Sequence, residues 1–253
     1  MNTHFIDSFL GGLLNIDDWA DVDSSLNGIQ VDNDGAEVQK IAFAVDASLE
    51  TIKKAAEANA GMLFVHHGFF WGSPLRIKGG FRASIDHLLK HNIALYAAHL
   101  PLDQHPELGN NAVLAELLGI ENKVPFGICM GRKVGWKGNL KTPLTIDEAF
   151  KRISFMGRPP TALLSFSKKE NKTCAVISGG AAMEAAQAID EGIDMYVTGE
   201  AAHSIYHTVE EAGLNMVCGG HYNTEVWGVQ KVMQKCKADL KIDVEFLDVP
   251  TGL

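Results

Sequence analysis

Two histidines stand side by side at His66-His67, between the apolar run Met62-Leu63-Phe64-Val65 and Gly68. Imidazole is both a metal ligand and a proton carrier near neutral pH. In a regular strand neighbouring side chains point to opposite faces. Consecutive histidines therefore chelate one ion only where the backbone turns, or else serve two ions. Gly68 makes such a turn cheap. The non-functional alternative puts one imidazole in water and the other in a hydrogen bond in the core, so the pair needs company from elsewhere in the chain.

That company lies after other apolar runs: His99 and Asp103, Glu200 and His203, His221 and Glu225. In open α/β sheets, ligands sit beyond the carboxyl ends of strands. The i, i+4 spacing of His221 and Glu225 at a helix start puts both on one face. Three histidines with two carboxylates form a nitrogen and oxygen donor set that Zn, Mn or Fe accept without cysteine. Five strong donors exceed the three protein ligands of a catalytic zinc. If carboxylates bridge, two ions about 3.5–4 Å apart account for the surplus and activate water between them. Each adjacent histidine then serves its own ion. Taken singly, Asp103 could be a turn or cap residue, His99 could orient a neighbour, and Glu225 could be a solvated helix acid; their joint occurrence at strand ends carries the argument.

The elements that must position these groups follow from periodicity and punctuation. Helical spacing predicts a helix over 3–14, and short apolar runs predict strands at 27–31, 40–45, 62–65 and 93–98. Helices are expected from Ser48 to about Asn59, over 83–90, and over 110–118 with Gly119 as its stop. Residues 120–144, with Pro125, Gly127, Gly131, Gly135, Gly138 and Pro143, read as short strands and turns. Thr145-Ile146-Asp147-Glu148 is a capping box that opens a helix over 146–155. Strands at 162–166, 173–177, 194–197, 214–218 and 244–249 then alternate with helices at 181–191, 202–212 and 224–237. Such alternation specifies an α/β fold with mixed sheets covered by helices, divided near residue 125.

Composition bounds the partners. At 253 residues, 46% hydrophobic and 21% charged, the chain is an ordinary globular protein with ample core. The net charge of −9, with no basic block beyond Arg132-Lys133 and Lys168-Lys169, argues against duplex nucleic acid as a partner. Four scattered cysteines form no Cys-x-x-Cys pair, no apolar segment approaches membrane-spanning length, and Met1-Asn2-Thr3-His4-Phe5 is no charged leader, so the expectation is a cytoplasmic protein with no membrane partner.

Asn27-Gly28-Ile29-Gln30-Val31, His66-His67-Gly68, His99-Leu100-Pro101-Leu102-Asp103, Gly109-Asn110-Asn111, Thr198-Gly199-Glu200 and Gly220-His221-Tyr222-Asn223-Thr224-Glu225 together resemble the motif series of the Nif-three-like dinuclear metal family, often labelled GTP cyclohydrolase I type 2 homologues. The match spans essentially the whole chain and has the length of the family's short form. The resemblance implies two intertwined α/β halves: 1–125, carrying the first metal ligands, and 126–253, whose last segment returns to the metal site. It also implies a pair of divalent ions and a homohexameric ring. Carried over by position, the metal ligands are His66, His67, Asp103, His221 and Glu225, with Glu225 or Asp103 as bridge and His99 close by. Gly68 stands where many members have proline, a departure that touches loop stiffness more than ligation.

Other features carry less. Ser178-Gly179-Gly180-Ala181 could offer amides to a phosphate but lacks the full Gly-x-Gly-x-x-Gly pattern, and a plain tight turn is the better reading. Phe69, Phe70 and Trp71 could stack a purine, shield metals or simply pack. The reading that results is a dinuclear metal-dependent hydrolase acting on a small, nucleotide-like substrate, with Glu200 or His203 as proton shuttle. A non-catalytic metal-binding or regulatory assembly protein and a GTP ring-opening enzyme are the alternatives.

Overall fold

The computed structural model describes residues 1–167 and 170–253, so the Lys168-Lys169 pair lies outside the described residues. In chain order the elements are α1 (Thr3–Leu14), β1 (Gly28–Val31), β2 (Lys40–Asp46), α2 (Leu49–Glu57), β3 (Met62–His67), α3 (Gly79–Lys90), β4 (Ala94–Ala97), α4 (Leu100–Gln104) and α5 (Asn110–Leu118). They continue with β5 (Ile120–Cys129), β6 (Arg132–Leu144), α6 (Ile146–Ile153), β7 (Ala162–Leu164), β8 (Asn171–Val176), α7 (Ala185–Asp190), β9 (Met195–Thr198), α8 (Tyr206–Ala212), β10 (Asn215–Cys218), α9 (His221–Leu240) and β11 (Asp243–Phe246).

Local chemistry accounts for most boundaries. The side chains of Asn2 and Ser48 accept the amides of Phe5 and Thr51 at the starts of α1 and α2, and Asn15 ends α1 in the left-handed region. Thr145 and Glu148 form the reciprocal capping box at α6. Four expectations needed correction. Residues 120–144 form one long β5–β6 hairpin, with register shifts that absorb its irregular residues. Gly127, Gly135 and Gly138 lie within the strands and Gly131 in the turn between them: a Cβ at Gly135 would overlap the Val176 carbonyl, so β6 needs glycine there to pair closely with β8. The expected helices at 181–191 and 202–212 each open with a tight 3-10 turn, Ala182–Glu184 and His203–Ile205. Helix α9 begins at His221 rather than Thr224, and Leu100–Gln104 forms a short helix that no apolar period announces.

The chain forms two compact units, Met1–Leu102 with Val229–Val249, and Asp103–Gly228 with Pro250–Leu253. Two of the three crossings fall inside helices, α4 and α9, and the third lies between Val249 and Pro250, after β11. They differ from a division at 125 because that cut would sever β5, which pairs with β6 on both sides of Pro125. Leu114, Ala115 and Leu118 of α5 also belong to one core with Trp136, Leu140 and Val176, so α5 is claimed by the second unit.

Unit 1 holds a mixed sheet ordered β1-β4-β3-β2-β11, parallel except for the antiparallel β1 edge. Its central strands are buried along nearly their whole length, as expected where helices cover both faces. Unit 2 holds a mixed six-stranded sheet ordered β5-β6-β8-β9-β10-β7, parallel across β8, β9 and β10. Among the described residues, no helix is long and apolar enough to cross a membrane.

Candidate metal centre

In unit 1 the parallel register of β2, β3 and β4 brings three strand ends together. Asp46 pairs with His67, and Val65 with Ala97, so His66, His67 and His99 emerge at one edge of the sheet. The rings of His66 and His67 lie 4.5 Å apart, and both lie within 6 Å of His99, at 5.3 and 5.8 Å. Nitrogens of all three come within 4.8 Å of one another, a group that could hold a metal ion. The adjacent histidines thus stay together where β3 ends, instead of parting to opposite faces.

Each ring is tied down at the same atom. His66 Nδ1 donates to the Ala98 carbonyl at 2.9 Å, His67 Nδ1 bonds Asp46 Oδ1 at 2.8 Å, and His99 Nδ1 bonds Asp23 Oδ1 at 3.0 Å. With Nδ1 carrying the hydrogen, the lone pair of each neutral ring lies on Nε2. Outer partners of this kind fix the tautomer and orientation of ligating histidines.

Asp23, like Asp46, is an anchoring carboxylate that the sequence motifs do not mark. Its side chain is fully buried and accepts from the Ser25 and Leu100 amides and Asn27 Nδ2, at 2.9, 3.0 and 2.9 Å. Burial works to raise its pKa, but the hydrogen bonds and charge of His99, with Asn27 and Ser25, prevail and hold it below the usual carboxylate range. The depressed value means that this stabilisation is present above the ordinary carboxylate pKa and is lost as pH falls through the folded one. Asp23→Ala strands several buried donors at about 1–3 kcal/mol each, so unfolding of the metal-free protein in urea should lose about 3 kcal/mol. Asp23→Asn should recover part of that loss, because its amide oxygen still accepts.

The Asn27–Val31 motif serves the same corner. Asn27 Oδ1 accepts the His99 amide at 2.8 Å, while Gln30 accepts the Phe69 amide at 2.7 Å and donates to the Leu26 carbonyl at 2.8 Å. A Cβ at Gly68 would overlap the Gln30 amide. The side chain of Gln30 therefore occupies the volume that a proline ring at 68 would need.

Unit 2 presents the acidic groups. Asp103 is buried, and its Oδ1 accepts Asn110 Nδ2 at 2.9 Å and Ser178 Oγ at 3.0 Å. Asn110 Oδ1 also accepts the Gly228 amide at 2.8 Å, and Asn111 spans the Ser178 amide and the Val134 carbonyl. At the start of α9, His221 Nε2 lies 3.2 Å from Glu225 Oε2, and its Nδ1 lies 2.7 Å from Glu200 Oε1. The i, i+4 pairing expected of His221 and Glu225 is present. Burial acts to lower the His221 pKa, but Glu225 and then Glu200 outweigh it and push it up to about 9. Glu200 is half exposed and serves to orient His221, whereas His203 is exposed at the opening of its 3-10 turn.

The Ser178-Gly179-Gly180 turn supports these side chains. The Gly179 amide donates to Thr224 Oγ1, and the Gly179 carbonyl accepts the Gly199 and Glu200 amides. A Cβ at Gly179 would overlap Glu225 Oε1, and its φ of +65° already favours glycine. Gly179→Ala should therefore displace the Glu225 carboxylate and weaken any divalent-metal binding there about 10-fold or more, measured by chelator competition; an unchanged affinity would remove this turn from the site. The four cysteines are free thiols pushed up by burial, and none joins these groups.

Comparison with known proteins agrees with this arrangement. The family model Duf34/NIF3 (NGG1p interacting factor 3) matches residues 1–251. Proteins named GTP cyclohydrolase 1 type 2 homolog from Archaeoglobus fulgidus and Pyrococcus horikoshii are 40% and 41% identical, with all of both chains covered. Among solved structures, a Thermus thermophilus protein superposes with a TM-score of 0.89 at 34% identity over the full length of both chains. Reduced HcgD from Methanocaldococcus jannaschii superposes with a TM-score of 0.86 at 28% identity over 98% of both chains. With its motif series, its two mixed sheets and a match along nearly its full length, the chain belongs to the Duf34/NIF3 family.

Proposed function

We propose that this protein is a dinuclear metal-dependent hydrolase, with His66, His67, Asp103, His221 and Glu225 as ligands of two divalent ions of the Zn, Fe or Mn type. The observation that carries the reading is the common anchoring of four imidazoles, His66, His67, His99 and His221, each through Nδ1 to an oxygen acceptor. Such anchoring orients Nε2 donors, and with two buried carboxylates it suits borderline divalent ions. When bound, such ions supply Lewis acidity that lowers the pKa of water and offsets charge developing on the substrate.

The chain's own residues do the remaining work. Ala98, Asp46 and Glu200 hold the ligating rings in one tautomer, and Ser178 with Asn110 orients Asp103. His99, fixed by Asp23 beside His66 and His67, is the group that holds or passes a proton at Nε2. Glu200, half exposed at the same strand end as the exposed His203, connects the His221 ring to a proton carrier in reach of water. The substrate of this reading is small and nucleotide-like, and the active species is a cytoplasmic homohexamer.

Metal analysis tests it first: protein purified under metal-replete conditions should hold about two ions per chain, and clearly fewer would count against the proposal. Metal-loaded protein is then screened against phosphoesters, nucleotides and cyclic amides. Two ions without turnover would favour a non-catalytic metal-binding or regulatory assembly protein. The names of the relatives favour a second catalytic reading, ring opening of GTP, and formate release distinguishes it from other hydrolysis.

A further inference from the structure

The three aromatic residues after Gly68 have different fates. Phe69 and Phe70 pack edge-on against Phe81, at 5.2 and 6.0 Å between centroids, which is ordinary loop packing. Trp71 instead meets the imidazole group: its ring lies edge-on to His99 at 4.8 Å and tilted to His67 at 6.1 Å. The indole is still 37% exposed. Its position is held by its own N–H, which donates to the Gly68 carbonyl at 3.0 Å, and by two bonds that tie down the loop, Phe69 N to Gln30 Oε1 and Leu26 N to Phe70 O. Further along the same loop, Leu75 and Ile77 are exposed apolar side chains at 48% and 61%.

The tethered, partly exposed indole presents apolar ring surface beside the imidazoles of His67 and His99, where a bound ring would cover it. Its polar atom is already satisfied, so what it offers is a π surface alone. A flat ring gains most from such a surface, because stacking needs no directional hydrogen bonds and loses little entropy against an immobile partner. We propose that Trp71 is a specificity-determining residue, whose indole stacks on a planar aromatic or heteroaromatic ring of the substrate and so holds that substrate beside His67 and His99. This inference rests on the hydrolase reading for what happens to the ring, but not for its binding.

The test therefore measures binding without turnover. Adenosine, guanosine and benzimidazole serve as flat probes, with ribose as the non-aromatic control. Each is titrated into metal-free and zinc-loaded protein and followed by saturation-transfer NMR. Trp71→Leu keeps apolar volume but removes the π face, and Trp71→Phe keeps a smaller ring. Stacking of one base on one aromatic side chain corresponds to a loss of about 10-fold or more in Kd for Trp71→Leu, with Trp71→Phe in between and ribose unaffected. Zinc content and thermal unfolding of each variant are recorded in parallel, so that a fold or metal defect is seen separately from a lost surface. Flat probes that bind Trp71→Leu as tightly as wild type would overturn the proposal, and so would the absence of saturable binding of every flat probe to wild type at about 10 mM. Ring binding that depends on Trp71, in a protein that takes up no zinc or other divalent ion when offered it, would keep this inference and reject the hydrolase.

Discussion

Glu225→Ala protein, loaded with zinc or manganese and then desalted, should retain at most one ion per chain where the wild type retains about two, and any turnover should vanish with the second ion. Glu225 is 3% exposed and lies 3.2 Å from His221 Nε2. Its removal deletes an oxygen donor and leaves His221 balanced by Glu200 alone. His66→Ala should produce the same loss from the other unit, because His66 is fully buried and its ring is fixed to the Ala98 carbonyl. A change at an orienting residue should be milder: Glu200→Gln leaves every proposed ligand in place, and loss of such an outer partner weakens metal binding about 10–100-fold. This ordering separates a metal centre from a fortuitous polar cluster. Glu225→Ala protein that keeps both ions and its far-ultraviolet circular dichroism would remove Glu225 from the ligand set. Unfolding of the metal-free variant would leave the comparison to Glu225→Gln, which retains the side-chain volume and loses the charge.

The sequence makes some parts of this site easier to find than others, for physical reasons. His66-His67 is visible because two imidazoles interrupt an apolar strand, and His221 and Glu225 are visible through helical spacing. Asp46 carries a weaker signal of the same kind, a carboxylate closing the strand run that begins at Lys40. Its role emerges only from the parallel register that sets it against His67. Asp23 gives no signal, since it stands in an acidic stretch with Asp17, Asp18 and Asp21, and only the fold buries this one under Leu100. The Ser178-Gly179-Gly180 turn is recognisable as a turn, but that its bare backbone makes room for Glu225 depends on a contact far along the chain. The same limit governs the β5–β6 hairpin. Glycines read as breaks wherever local preference decides, which holds for Gly131 in the turn, whereas Gly135 and Gly138 permit close strand pairing that outweighs local preference.

The acid-base state of His221 supplies a second large effect, and its sign can be worked out. The ring's pKa of about 9 lies above the ordinary value of 6.5, because Glu225 faces Nε2 and Glu200 faces Nδ1, and together they outweigh the opposing effect of burial. At neutral pH the metal-free protein therefore carries an imidazolium ion at the position proposed as a ligand. A raised folded-state pKa makes the ion pairs fully stabilising below the unfolded value, and that stabilisation fades as pH rises from about 6.5 through about 9. Metal binding has the opposite slope. Nε2 becomes a donor only after releasing its proton, so apparent affinity should climb up to about tenfold per pH unit across this window and level off above it. Over the window the gain approaches roughly 300-fold, measured by competition with a chelator whose own protonation is accounted for. Calorimetry in two buffers of different ionisation enthalpy, near pH 7.5, should find about one proton released per chain from this ring. His221→Gln should abolish that release together with the affinity. A metal affinity that stays flat across the window would show that the His221 ring is no ligand, and with it the helix start would leave the proposed centre.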